Sequence, residues 1–294
     1  MIDAGSQTWN LGGLAVRRMG LGAMRLPGAP FGTVTGSRDR AIAVLRRSRE
    51  LGVNLVDTAA FYFTPLLSAN ELISSALRPY PADLVIATKV GPGRDPSGVW
   101  YSARPDQLRG QVEQNLRELG RDHLDLVYLR RMSQDSVSEH FGVLAELRQA
   151  GLIRELGVSG IMPEHLAQAR AIAPVTAVQN RLSLEVRVND EVLQLCAKQG
   201  IAFVPYYAIA SDGREAGFSA RTRHQAVEAA VTSAAAAHHA SAAQIRLAWT
   251  LHQGPNVLAI PGTSDLRHLE ENVAAGALRL TEQELAGLEA ASRA

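Results

Sequence analysis

An aspartate, a tyrosine and a lysine are spaced in this sequence so that they could serve one proton-transfer site. Asp57 closes the apolar run in NLVDTAAFY. A carboxylate there must be paired or neutral, because an isolated buried charge is too costly. Lys89 closes the next apolar run, IATKV. If the two runs are adjacent strands, about 5 Å apart, their ends bring the carboxylate to the ammonium. Such a pair can be purely structural. Tyr62 adds chemistry, since its phenol can fold back beside Lys89. A neighbouring ammonium favours phenolate, so the expectation is a lowered tyrosine pKa and a proton donor usable near neutral pH.

These side chains need a frame that collects strand ends. β-rich runs at 53–59, 83–90, 124–131, 153–160, 176–180, 201–207 and 257–263 follow one another, most of them separated by helical patterns at 68–78, 105–119, 137–150, 163–171 and 190–199. With 19–24 as the first strand, the count is eight. The runs are apolar almost throughout, as in a parallel sheet buried on both faces. Polar residues fall at the ends of successive strands: Asp57, Lys89, Arg130, Ser159, Gln179, Tyr206 and Thr263. An open sheet concentrates its ligand groups at one switch point, whereas a barrel gathers every strand end around one mouth. No GxGxxG follows the first strand. The pattern therefore predicts an α/β fold, a (β/α)8 TIM barrel, as a single domain over residues 1–294.

Two segments extend the bare barrel. Residues 8–17, with a Gly-Gly turn, predict an N-terminal β-hairpin capping the barrel floor. Residues 209–223 carry Ser211, Asp212, Gly213 and Gly217 and predict a long polar loop at the mouth, of the kind that forms lids. The Ala-rich stretch after it predicts two helices broken at His239 and Ala240, with Ser241 as N-cap. His238 and His239 are adjacent in a helical pattern and point apart, so no metal site is expected. Cys196, the single cysteine, reads as a small buried hydrophobe. The chain is 46% hydrophobic and 20% charged with a formal net charge of +1. Scattered basic residues exclude a nucleic-acid or anionic-membrane surface. No leader or membrane-length apolar run is evident, so the cytoplasm is the default location. Nothing in the sequence sets the oligomeric state.

The motifs DTAAFY, IATKV, LDLVYLRR, GVSG, AVQN, VPYY and IPGTS stand in the order and spacing of the aldo-keto reductases, which the chain resembles from about Leu11 to Leu288. Within that superfamily it is most similar to the bacterial branch that includes a pyridoxal reductase, through FG…SRDRAIAVLR, NLRELG and IPGTSDLRHLEEN. The resemblance implies an NADPH-dependent reductase of a small-molecule carbonyl, with Tyr62 as proton donor tuned by Asp57 and Lys89. It implies Ser159 and Gln179 on the nicotinamide carboxamide and Tyr206 against the nicotinamide ring. It also implies the adenosine 2′-phosphate at the helix start formed by Gly262, Thr263, Ser264, Arg267 and His268, with Glu271 and Asn272 toward adenine.

Arg130 stands where most active members have histidine. A guanidinium is always cationic and donates several hydrogen bonds, so it could stabilise a developing oxyanion directly. Gly160 replaces a usual asparagine. Phe63, Trp100, Tyr101, Met132 and Tyr207 are expected to wall the mouth with apolar and aromatic surface suited to a flat or hydrophobic substrate. Two other readings remain: reduction of a conjugated C=C or C=N bond, and a cofactor-binding regulatory or scaffold protein with little turnover.

Overall fold

The computed structural model describes residues 8–28, 36–95, 97–209 and 220–293, with backbone alone for 220–224. The chain opens with an antiparallel hairpin of β1 (Thr8–Leu11) and β2 (Leu14–Arg17), and continues into β3 (Leu21–Gly22). Alternating units follow: α1 (Arg38–Glu50), β4 (Leu55–Asp57), α2 (Ala69–Leu77) and β5 (Val85–Val90). A second small hairpin pairs β6 (Pro92–Arg94) with β7 (Trp100–Ser102). The alternation resumes with α3 (Leu108–Leu119), β8 (Leu124–Arg130), α4 (Ser138–Gln149), β9 (Ile153–Ser159), α5 (Pro163–Arg170), β10 (Ala177–Gln179), α6 (Asp190–Gln199) and β11 (Ala202–Phe203). Helices α7 (Ala220–His238), α8 (Ala242–His252), α9 (Leu266–Ala274) and α10 (Glu282–Arg293) complete the described chain.

Among the described residues, seven parallel strands form one sheet in the order β11-β10-β9-β8-β5-β4-β3. The sheet closes through the run 257–262, which makes single bridges from Val257 to Phe203 on one edge and from Ala259 to Met19 and Gly262 to Gly22 on the other. The predicted eighth strand therefore exists as a bridging run rather than a continuous ladder, and the seventh is shorter than the expected 201–207. Pro205 and Pro261 lack the N–H that a ladder needs, which limits regular pairing there. The fold is a (β/α)8 barrel.

Strand residues alternate between two cores. Leu55, Val85, Ala87, Leu126, Tyr128, Ala177 and Ala202 fill the interior, joined by Leu11, Leu14 and Val16 of the first hairpin. The hairpin thus plugs the floor, as its sequence predicts. Val56, Ile86, Val127, Leu129, Val158 and Val178 face the helices instead. Each fully buried side chain of this size contributes about 1.5–3 kcal/mol, so a slip of one residue would forfeit both cores together.

The helix boundaries follow local chemistry. Ser241 accepts from Gln244 N at the start of α8, and His239 breaks the chain before it at φ +50°. His238 pairs with Glu284 at 2.9 Å, and the described residues hold no metal-ligating cluster. The Cys196 thiol is buried and pushed up to about 12, which suits packing rather than reactivity. The expected lid at 209–223 lies largely outside the described residues, apart from Ile209 and the start of α7. No described helix is long and apolar enough to cross a membrane.

Candidate active site

The two-residue period that builds the interior also builds the site. Asp57, Lys89, Arg130 and Gln179 each stand two residues beyond an interior side chain, respectively Leu55, Ala87, Tyr128 and Ala177. They therefore form the next inward layer, at the carboxyl ends of the strands. Ser159 joins them, in register with Arg130 on β8 and Gln179 on β10. Above them lies a cavity of about 890 Å³, lined by Asp57, Tyr62, Lys89, Arg130, Ser159, Gln179 and Tyr206.

Lys89 donates to Oδ1 of Asp57 at 2.6 Å and to the Thr58 carbonyl at 2.9 Å. Burial works against the ammonium, but Asp57 and then Tyr62 outweigh it and hold Lys89 above its ordinary value. The other Asp57 oxygen accepts from Gln179 Nε2 at 2.8 Å. Both carboxylate oxygens are thus engaged, and the ion pair is almost fully withdrawn from water.

Tyr62 lies beside this pair, with Lys89 Nζ 4.9 Å from its ring centroid. Its backbone is fixed by a bond to Ala59 O and one from Ala69 N. The ring is half-buried and lines the cavity. Burial raises the phenol above its ordinary value, ahead of the opposing pull of Lys89 and, more weakly, Arg130. This corrects the expectation of a lowered pKa, because desolvation of the phenolate exceeds the attraction of one ammonium already shared with Asp57. The consequence is a phenol that retains its proton at neutral pH beside the Lys89 ammonium.

Arg130 turns its guanidinium to the cavity, where Nη1 donates to Tyr206 Oη at 3.1 Å and Ser159 Oγ at 3.4 Å. Its Cζ stands 5.1 Å from the Tyr206 ring centroid. It makes no ion pair among the described residues.

Trp100, Met132 and Tyr207 line the cavity, whereas Phe63 and Tyr101 do not. Phe63 stacks under Arg94 at 4.7 Å, and Arg94 Nη1 also holds the Phe63 carbonyl at 3.0 Å. Tyr101 lies across Gly93 in the second hairpin. Phe61 takes the place given to Phe63 and stacks edge-on with Tyr62 and Trp100 at 5.1 and 5.4 Å. Met24, Arg25, Pro205 and Ile209 also line the cavity. Their position just after strand ends was the available signal.

Gly262 reaches the cavity, but Thr263, Ser264, Arg267, His268, Glu271 and Asn272 lie beyond its lining. The start of α9 is less open than expected, because Asp265 caps it by accepting from His268 N at 3.0 Å. Thr263 Oγ1 accepts from Asp265 N at 3.0 Å. Arg267 pairs with Glu271 at 3.0 Å and reaches His268 Nε2 at 3.1 Å, while Asn272 is buried.

The sequence profile of the Aldo/keto reductase family matches residues 18–293. The chain belongs to that family and is a nicotinamide-dependent oxidoreductase. It is 40% identical to pyridoxine 4-dehydrogenase of Escherichia coli, over 98% of this chain and 99% of that one. Among solved structures it resembles a thermostable aldo-keto reductase in complex with the inhibitor epalrestat, at 26% identity and a TM-score of 0.81, covering 97% and 99% of the two chains. An aldo-keto reductase from Klebsiella pneumoniae in complex with NADPH matches at 25% identity and a TM-score of 0.76, covering 94% and 91%.

Proposed function

We propose that this protein is an NADPH-dependent reductase of small, flat aldehydes and ketones, with aromatic aldehydes of the pyridoxal type as the substrate class. The observation that carries the reading is the buried chain from Gln179 through Asp57 and Lys89 to Tyr62, ending at an open cavity. The name of the pyridoxine 4-dehydrogenase relative supports the substrate class.

The donor set suits the cofactor. Gln179 has its amide N–H committed to Asp57, which leaves its carbonyl oxygen as acceptor for a carboxamide N–H. Ser159 offers a hydroxyl and Tyr206 a ring face on the same wall. Ser264, Arg267 and His268 would hold the 2′-phosphate at α9, with Glu271 and Asn272 toward adenine. When bound, the cofactor supplies the hydride.

The chain's own residues do the rest. Tyr62 Oη gives its proton to the substrate oxygen as negative charge develops there, and Lys89 stabilises the resulting tyrosinate. Asp57 fixes Lys89, and Gln179 fixes Asp57. Arg130 donates to the same substrate oxygen, a charge-assisted bond that strengthens toward the transition state. Trp100, Phe61 and Tyr206 exclude water from the reacting atoms.

The test is a panel of aldehydes, ketones, imines and enones with NADPH, products identified by chromatography. Alcohols from aromatic aldehydes are expected. Saturated carbonyls from the enones, with aldehydes untouched, would replace this reading by C=C reduction; cofactor binding without any product would replace it by a binding protein.

A further inference from the structure

Resting on the reductase reading, we propose that Arg130, seated over the bare backbone of Gly160, is a two-oxygen clamp that selects aromatic aldehydes carrying an ortho hydroxyl or phenolate. Three observations combine. First, Arg130 uses only Nη1 on the protein, toward Tyr206 and Ser159; its Nε and Nη2 make no hydrogen bond among the described residues. These two N–H groups form the planar fork that grips paired oxygens by parallel bonds, which a single imidazole or ammonium cannot do.

Second, the fork is set in place by a missing side chain. A Cβ built on Gly160 would stand 2.4 Å from Arg130 Nη1 and 3.0 Å from Cζ. Gly160 also adopts φ +66°, where glycine is unstrained. Any larger residue would push the guanidinium from its seat beside the Tyr206 ring.

Third, the cavity presents no competing anion. Asp57 is the one carboxylate among its described lining residues, and both its oxygens are engaged. Arg25, a second lining cation, makes no side-chain bond or ion pair among the described residues. A phenolate therefore enters a net positive site beside the Trp100 and Phe61 rings, with the Tyr206 ring face left to the nicotinamide. One fork N–H meets the carbonyl oxygen and the other meets the ortho oxygen, holding the carbonyl coplanar with the ring.

The experiment compares 2-hydroxybenzaldehyde with 4-hydroxybenzaldehyde, isomers that differ only in where the second oxygen sits. Alcohol formation with NADPH gives kcat/KM, and calorimetric titration of the NADP-saturated protein gives Kd. Wild type is expected to favour the ortho isomer by about tenfold or more in both, the worth of one added charge-assisted bond. Arg130→Lys keeps the charge but loses the fork, and should bring both ratios within about threefold. Gly160→Ala leaves Arg130 chemically intact and should narrow the ratios likewise, in protein of normal circular dichroism.

Equal treatment of the isomers by wild type, or an ortho preference that survives Arg130→Lys, overturns the clamp. Both aldehydes reduced without preference leaves the reductase reading standing and the clamp overturned. Tighter ortho binding with no alcohol from either isomer does the reverse.

Discussion

Gln179 donates from Nε2 to Oδ2 of Asp57 at 2.8 Å, joining residues 122 positions apart in sequence. The bond fixes which way the amide points, since only its N–H side can face a carboxylate. Gln179→Leu removes the donor and leaves that oxygen buried without a partner. Urea unfolding should show a loss of about 1–3 kcal/mol, with a rise in cofactor Kd because the cavity-facing amide carbonyl is gone too.

Lys89→Met should be the more damaging change. It leaves Asp57 buried without its cation, at a cost of about 3–5 kcal/mol. The double variant Asp57→Asn with Lys89→Met should regain much of that stability, read by the same unfolding curves, while turnover stays lost. Recovery of both together would assign the pair a structural role alone.

Tyr62→Phe keeps the ring and removes the proton. The loss should fall on kcat, with cofactor affinity measured by tryptophan fluorescence nearly unchanged. The pH dependence follows from the raised phenol. Its folded value exceeds the ordinary 10.0, so its contribution to stability is present in full below 10.0 and is lost as pH rises through the folded value. Reduction should accordingly show no loss of the acid between about pH 6 and about pH 9. A Tyr62-dependent fall in kcat near neutrality, absent in Tyr62→Phe, would contradict this direction.

Asp265 sets a carboxylate at the helix start where a 2′-phosphate is proposed to bind. Asp265→Asn keeps a capping oxygen but removes the charge. It should tighten NADPH by about two- to fivefold, about 0.3–1 kcal/mol at low salt, and leave NADH unchanged. Arg267→Ala with His268→Ala should do the opposite, weakening NADPH more than NADH. Fluorescence titrations with both cofactors check the pair, and the differences should shrink with salt because these side chains are exposed.

The sequence by itself determined the barrel, the hairpin plug, the break at His239 and the layer of inward polar residues at the strand ends. These follow from local rules: a two-residue period places Asp57, Lys89, Arg130 and Gln179 on the same face as the interior apolar residues below them. The tertiary structure decided what those side chains do to one another. Gln179 meets Asp57, and Arg130 lies over Gly160, because of the spatial arrangement of the strands, which no local pattern encodes. Phe61 rather than Phe63 faces the cavity because Arg94, from a hairpin unseen in the sequence, holds Phe63 aside. The direction of the Tyr62 shift was equally out of reach: the attraction of Lys89 can be read from spacing, but desolvation depends on everything packed around the phenol, and here desolvation is the larger effect.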